Sequence, residues 1–217
     1  MPIVLSDLFS EAEAMVIYEA AQALPFEDGG KTAGRVAGAV KRNQQAAAGA
    51  DRDAVLAKVK SVCLSNPLFQ AVVYPKGFAG MVLSRTEGGG EYGDHIDNAL
   101  MAGGRTDVSF TIFLSPPESY DGGALCISDP SEERSFKLEQ GEMVIYPSDT
   151  LHRVEEVTSG VRIAIAGWAT SWVRDPRQRE ILFDLWQAHG RAEAVGDVTQ
   201  ALLLSKSRSN LLRMWAV

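Results

Sequence analysis

The alternation of residue types over 106–115 constrains this chain more tightly than any other stretch. Val108, Phe110, Ile112 and Leu114 fall on one side of an extended backbone, and Asp107, Ser109, Thr111 and Phe113 fall on the other. That period suits a strand with two unlike faces. Similar runs flank it at 81–86, 124–128, 134–138, 142–146, 151–154 and 161–168. Turn signals separate them: the glycines 88–90, Tyr120-Asp121-Gly122-Gly123, Asp129-Pro130-Ser131, Gln140-Gly141 and Pro147-Ser148-Asp149. Short strands at this density predict a β-sandwich or jelly roll and argue against βαβ units, and a double-stranded β-helix fits.

Helical patterns lie outside this block, so the class expected is α+β, mainly β. Ser10 followed by Glu11 and Glu13 marks a helix start, with the helix running to about Leu24 before Pro25 and Gly29-Gly30. Val55, Leu56, Val59 and Val62 recur at helical spacing within 51–63 and predict a second helix that buttresses a sheet. Residues 31–43 read as irregular or as a short strand, and 69–74 as a strand ended by a turn at Pro75 and Gly77. Beyond Pro176, Ile181, Leu182, Leu185 and Trp186 predict a helix over 178–189, closed by Gly190 with His189 at its C-terminal end; 192–204 and 209–215 form one or two more. The division expected is a jelly-roll domain with N-terminal helices over 1–175 and a helical extension over 176–217. The apolar face of that extension covers the sheet or forms a homodimer contact, and both readings stay open.

A net charge of −7 disfavours a nucleic-acid surface, which calls for a basic footprint. Cys63 and Cys126 are the two cysteines, too few for a disulfide scaffold or a thiolate metal site, so both are expected as core residues in a reducing compartment. The first residues carry neither a basic leader nor an apolar h-region, and no later stretch is long enough to span a bilayer. A cytoplasmic location without membrane contact is expected.

The chemistry centres on His95 and Asp97. Two residues apart in extended chain, they project to the same side and their heads can meet one ion. Such a pair alone is equally an ordinary hydrogen-bonded loop pair. His152, the other histidine in strand-like sequence, is the natural third ligand. Two histidines and one carboxylate on one face of an ion leave open positions opposite, as in non-heme Fe(II) oxygenases. Arg162 follows in a run that reads as a buried strand, where a guanidinium needs a planar anion. Parity puts Arg162, Ala164, Ala166 and Trp168 on one face, with empty volume over the alanines for a small dicarboxylate. A structural ion pair to an internal Asp or Glu is the other reading of Arg162.

His95-x-Asp97, His152 and Arg162 together resemble the iron- and 2-oxoglutarate-dependent dioxygenases. Tyr92 to Asn98, Arg105 to Ser109, Phe113 to Ser115, Tyr120 to Gly123, Tyr146 to Ser148, Leu151 to Val154 and Val173 to Pro176 are more closely similar to the bacterial PKHD-type hydroxylases, relatives of prolyl 4-hydroxylase. The likeness spans nearly the whole chain. It implies Fe(II) at His95, Asp97 and His152, 2-oxoglutarate with its distal carboxylate on Arg162, O2 as oxidant and ascorbate as reductant. It also implies hydroxylation of an unactivated C–H bond, in a peptide or small-molecule substrate, coupled to decarboxylation of 2-oxoglutarate to succinate.

In the prolyl hydroxylases an aromatic at the position of Tyr92 lines the site; a half-buried packing tyrosine is the alternative. Thr111 reaches the co-substrate if its face lines the pocket, and Trp168 closes the alanine-floored space. A tyrosine common in the family at the position of Phe113 is absent, which leaves the second partner of the distal carboxylate open. The glycines 88–90 are expected as a mobile loop, framing the entrance together with 99–105. Neutral imidazoles and an ionised Asp97 are required, so metal binding is expected to weaken as pH falls through the imidazole range. The rival reading is a cupin-like protein that binds metal or a small ligand without turnover.

Overall fold

The computed structural model describes residues 2–32, 40–101, 104–128 and 132–217. Its strands are β1 (Ile3–Leu5), β2 (Phe26–Asp28), β3 (Lys41–Arg42), β4 (Gln44–Ala46), β5 (Pro75–Glu87), β6 (Glu91–His95), β7 (Leu100–Met101), β8 (Gly104–Arg105), β9 (Val108–Phe113), β10 (Tyr120–Gly122), β11 (Leu125–Ser128), β12 (Glu133–Phe136), β13 (Met143–Pro147), β14 (His152–Val154) and β15 (Val157–Ser171). The helices are α1 (Glu11–Gln22), α2 (Ala50–Ser65), α3 (Pro67–Val73), α4 (Pro176–Ala194) and α5 (Val198–Trp215).

Among the described residues the larger sheet runs β1-β13-β9-β15-β5-β4-β2, with β10 also on β15, and the smaller runs β12-β11-β14-β6-β3. From β5 onward the chain passes back and forth between them: β5, β9, β13 and β15 build one sheet, and β6, β11, β12 and β14 the other. This winding is the expected jelly roll.

The larger sheet is the middle layer, and the alternation first read over 106–115 explains why. Val108, Phe110, Ile112 and Leu114 join Ile163 and Ile165 of β15 in a core shared with Ile17 of α1, Val59 and Cys63 of α2, and Phe69 and Val73 of α3. The opposite parity, with Phe113, Val144 and Tyr146, faces Leu125, Ile127 and Phe136 of the smaller sheet. Each strand of this layer therefore has one helix-facing row and one row facing the other sheet. Phe69, Phe78 and Phe110 interlock on the helix side, with the Phe69 and Phe110 centroids 5.8 Å apart at 87°.

Several elements depart from the sequence reading. Residues 67–73 are helical where 69–74 reads as a strand: Asn66 caps the turn by accepting from the Leu68 and Phe69 amides at 3.0 Å, and Pro67 stands at its first position. Tyr74 ends it at φ 47°. Pro75 and Gly77 then lie inside β5, opposite Ser171 and Thr170, because proline is tolerated as the first residue of a strand.

Helix α4 runs through Gly190 and places His189 inside it, 3.3 Å from Glu193, and the break falls instead at Gly196 with φ 73°. The glycines 88–90, expected as a mobile loop, lie in a hydrogen-bonded turn. The Gly89 amide donates to Val157 at 2.9 Å and the Gly90 amide to Glu87 at 3.0 Å, and a Cβ on Gly90 would meet the Arg42 carbonyl at 2.5 Å. The expected turn at Asp129-Pro130-Ser131 lies outside the described residues, as does most of 31–43 that precedes β3.

Gly167 on β15 is a packing glycine: a Cβ there would lie 2.1 Å from Cζ of Phe110. Phe110 is wedged between Phe69 and Phe78 and has no room to retreat. Gly167→Ala is expected to destabilise the fold by about 1–3 kcal/mol, the ordinary cost of overpacking. A denaturant midpoint equal to that of the wild type would contradict this packing.

Candidate metal centre and co-substrate pocket

The antiparallel pairing of β14 with β6 sets His152 directly opposite His95. Their rings are 4.2 Å apart between centroids, tilted by 51°. Asp97 follows two residues after His95, just past the end of β6, and its Oδ2 lies 3.7 Å from Nε2 of His152. One ligand atom from each of His95, Asp97 and His152 falls within 4.8 Å of the others, and both imidazoles are buried. Three ligands on one side of an ion leave positions open on the other.

The three side chains are oriented by their neighbours. Nδ1 of His95 lies 2.8 Å from the Gly93 carbonyl and Nδ1 of His152 lies 2.9 Å from the Thr150 carbonyl. A carbonyl oxygen only accepts, so each Nδ1 carries the proton and each Nε2 offers its lone pair. Ser109 donates to Asp97 Oδ2 at 2.7 Å; having spent its single proton there, it accepts from the Ser148 hydroxyl at 2.8 Å. Burial, with the neighbouring His152 adding to it, pushes the His95 imidazole well below its ordinary pKa, so it is neutral at pH 7.

Tyr92 stacks on His95 with centroids 3.6 Å apart at 16°, and Tyr146 meets His152 edge-on at 5.1 Å. Both tyrosines line the cavity.

These groups open into a cavity of about 280 Å³ between the two sheets. Arg162, Ala164, Ala166 and Trp168 of β15 all line it, as their parity requires, and Thr111 of β9 joins them. Arg162 is 3% exposed, and its Nε and Nη2 have no hydrogen-bond partner; no acid lies within ion-pairing distance of it among the described residues. Those two nitrogens form one edge of the guanidinium, the edge that receives a carboxylate through two parallel bonds. The residues therefore fit a small oxo-diacid: an orphaned fork at one end, a metal-ligand set at the other, and two alanines between. Trp168 Nε1 is likewise buried without a partner.

Phe113 does not line the cavity but lies under the guanidinium, 5.4 Å from ring centroid to Cζ. Glycines 88–90 are not part of the lining, whereas Asn98 and Met101 are; residues 102 and 103 of the expected entrance lie outside the described set.

Three residues of the site carry no sequence signal as strong as the histidines. Ser109 ends the Arg105 to Ser109 stretch and lies on the pocket-side parity of β9, but nothing in the sequence marks it as a partner of Asp97. Tyr146 reads as an ordinary strand aromatic; its hydroxyl pKa is raised well up by burial and by Asp97, and is held back by the Thr111 hydroxyl and Arg162. Lys41 sits in a stretch without periodicity, yet lines the cavity with its Nζ 5.1 Å over the Tyr92 ring.

Comparison with known proteins agrees with this geometry. Residues 81–170 match the model of the 2OG-Fe(II) oxygenase superfamily. The chain is 49% identical over 196 residues to a PKHD-type hydroxylase of Parvibaculum lavamentivorans, covering 90% of this chain and 89% of that protein. It is 43% identical to one of Acaryochloris marina over the full length of both. Among solved structures, a Pseudomonas putida prolyl-4-hydroxylase superposes with a TM-score of 0.58 at 16% identity, covering 78% of this chain and 92% of that one. A Trichoplax adhaerens prolyl hydroxylase, in complex with a hypoxia inducible factor oxygen degradation domain peptide fragment, superposes with a TM-score of 0.55 at 16% identity, covering 83% and 86%. At that identity the structures establish the fold, while the sequence relatives establish the family. The chain belongs to the PKHD-type hydroxylases of the 2OG-Fe(II) oxygenase superfamily, and is an enzyme that uses Fe(II), 2-oxoglutarate and O2.

Proposed function

We propose that His95, Asp97 and His152 hold Fe(II), and that Arg162 receives the distal carboxylate of 2-oxoglutarate, with Thr111, Tyr92 and Trp168 lining the co-substrate space. One observation carries this reading: a metal-ligand set and a buried guanidinium without an acid partner share one cavity. When bound, the iron and the keto acid supply oxidative decarboxylation to succinate and the power to hydroxylate an unactivated C–H bond.

This chain's own residues do the rest. The Gly93 and Thr150 carbonyls hold both imidazoles in the ligating tautomer, and Ser109 holds one carboxylate oxygen of Asp97. Arg162 fixes the far end of the diacid and thereby its orientation along the alanine floor.

The substrate is a peptide residue or a small molecule; the peptide held by the Trichoplax adhaerens structure supports the first at the level of fold. Ascorbate is the reductant this reading favours, and two free buried thiols, Cys63 and Cys126, support a cytoplasmic location. No helix is long and apolar enough to cross a membrane among the described residues.

Residues 1–175 form the dioxygenase jelly-roll domain and 176–217 an extension packed on it. Leu182 is fully buried, Phe183 packs against the helix-side core, and Arg179 donates to the Val173 carbonyl at 2.8 Å. Val198, Leu202 and Met214 remain exposed on the last helix, which supports a homodimer through this extension.

His95→Ala or Asp97→Ala is expected to abolish formation of succinate from 2-oxoglutarate; turnover retained at unchanged iron content would refute the ligand set. Ser109→Ala leaves all three ligands in place and is expected to weaken metal affinity about 10–100-fold, read by competition with a metal-sensitive dye. Arg162→Leu is expected to raise the half-saturating 2-oxoglutarate concentration at least about 30-fold, the scale of losing a buried charge pair. The same variant is expected to be at least as stable as the wild type without co-substrate, since it removes an unpaired buried charge. A fall in stability without a change in 2-oxoglutarate affinity would make Arg162 structural.

A further inference from the structure

Resting on the oxygenase reading above, we propose that Lys41 is a specificity residue that receives a free carboxylate of the substrate, beside the carbon to be hydroxylated. The first support is placement. Lys41 pairs across the sheet with Tyr92, three residues before His95, so the ladder that carries a metal ligand also carries this cation. Parity along β3 and β4 turns Lys41, Asn43 and Gln45 toward the cavity and leaves Arg42 and Gln44 exposed. Asn43 is held by donating to the Ser84 hydroxyl at 2.8 Å.

The second support is charge. Lys41 makes no ion pair among the described residues, and its one recorded contact of the charged end is with the Tyr92 ring. The neighbouring stretch 33–39, which lies outside the described residues, contains no Asp or Glu to serve as a partner. A lysine free to do so would extend its head into water, yet here burial lowers the ammonium pKa against the opposing pull of Asp97 and Asp28.

Of the cavity-lining residues, Lys41, Asp97 and Arg162 carry charge once both histidines are neutral ligands. With iron and 2-oxoglutarate bound, the ferrous ion and Arg162 are balanced by Asp97 and the two carboxylates of the co-substrate. Among the lining residues Lys41 is left over, with only Asp28 outside the lining to add to the pull of Asp97 on it, and one substrate carboxylate neutralises the charge inside the loaded cavity. The rest of the lining, with Ile96, Met101 and Gly80, carries no charge, so it suits the uncharged body of such an acid.

The test is an anaerobic titration of the Fe(II)- and 2-oxoglutarate-loaded protein with a panel of N-acetyl amino acids, each offered as the free acid and as its methylamide. Binding is read from the visible charge-transfer absorption of the iron–keto acid chelate and from mass spectrometry of the intact complex. At least one free acid is expected to bind about tenfold or more tightly than its amide. Lys41→Met is expected to abolish that preference without changing the affinity for 2-oxoglutarate, and Lys41→Arg, which keeps the charge, to retain it. Acids and amides that behave alike across the panel, including binding by neither, overturn the proposal, as does a preference that survives in Lys41→Met. A wild-type protein that develops no charge-transfer absorption defeats the oxygenase reading itself, which separates the two failures.

Discussion

Antiparallel pairing of β14 with β6 puts two imidazoles side by side across one rung of a ladder, and the site is arranged around that rung. Register matters here in an all-or-none way: a slip of one residue in either strand would turn a histidine to the opposite face of the smaller sheet. The same device then orients both rings. Each Nδ1 donates to the carbonyl two residues earlier in its own chain, Gly93 for His95 and Thr150 for His152. Orientation is thus supplied locally by backbone, and only proximity depends on the long-range fold.

The middle sheet does two jobs because its strands present two unlike rows. On β9 the row Val108, Phe110, Ile112 anchors the helices, while Ser109 and Thr111 face the cavity one residue away in sequence. On β15, Ile163 and Ile165 are core while Arg162, Ala164 and Ala166 form the cavity floor. Rigidity of the helix-side core therefore passes to the site through single peptide units, with no hinge between them. This is why a packing glycine such as Gly167 belongs to the account of the site, although it touches neither metal ligands nor Arg162.

What could be read without coordinates follows from how local each signal is. The strands, the parity of β9 and β15, and the nearness of His95 to Asp97 are properties of short windows, and a period of two suffices to find them. The helix at 67–73 was hidden because a short apolar run fits strand and helix alike, and its cap, Asn66 before Pro67, is easily passed over. Gly190 misleads for the opposite reason: a glycine with open space around it is tolerated within a helix, so its presence alone does not end one. Ser109 and Lys41 acquire meaning only through partners 12 residues away in the case of Asp97 and across a sheet in the case of Tyr92. No single-window pattern carries that information.

The surroundings of Arg162 show how the pocket accommodates the lack of a hydroxyl at Phe113. The phenyl ring lies beneath the guanidinium, where its face offsets part of the cost of burying a cation without competing for its donors. Hydroxyls near it belong to Tyr120 on β10 and Tyr146 on β13, both of which favour the charged form of Arg162, and the Thr111 hydroxyl on β9 acts on Tyr146. Tyr120 lies close to the guanidinium, where its hydroxyl favours the charged form, and a Cβ on Gly123 would meet both its ring and the arginine side chain. A carboxylate entering from the cavity would therefore find the fork unoccupied and already aimed. Arg162 is already desolvated in the folded protein, so a carboxylate that reached the fork would meet a guanidinium whose burial cost is borne by the fold rather than at binding.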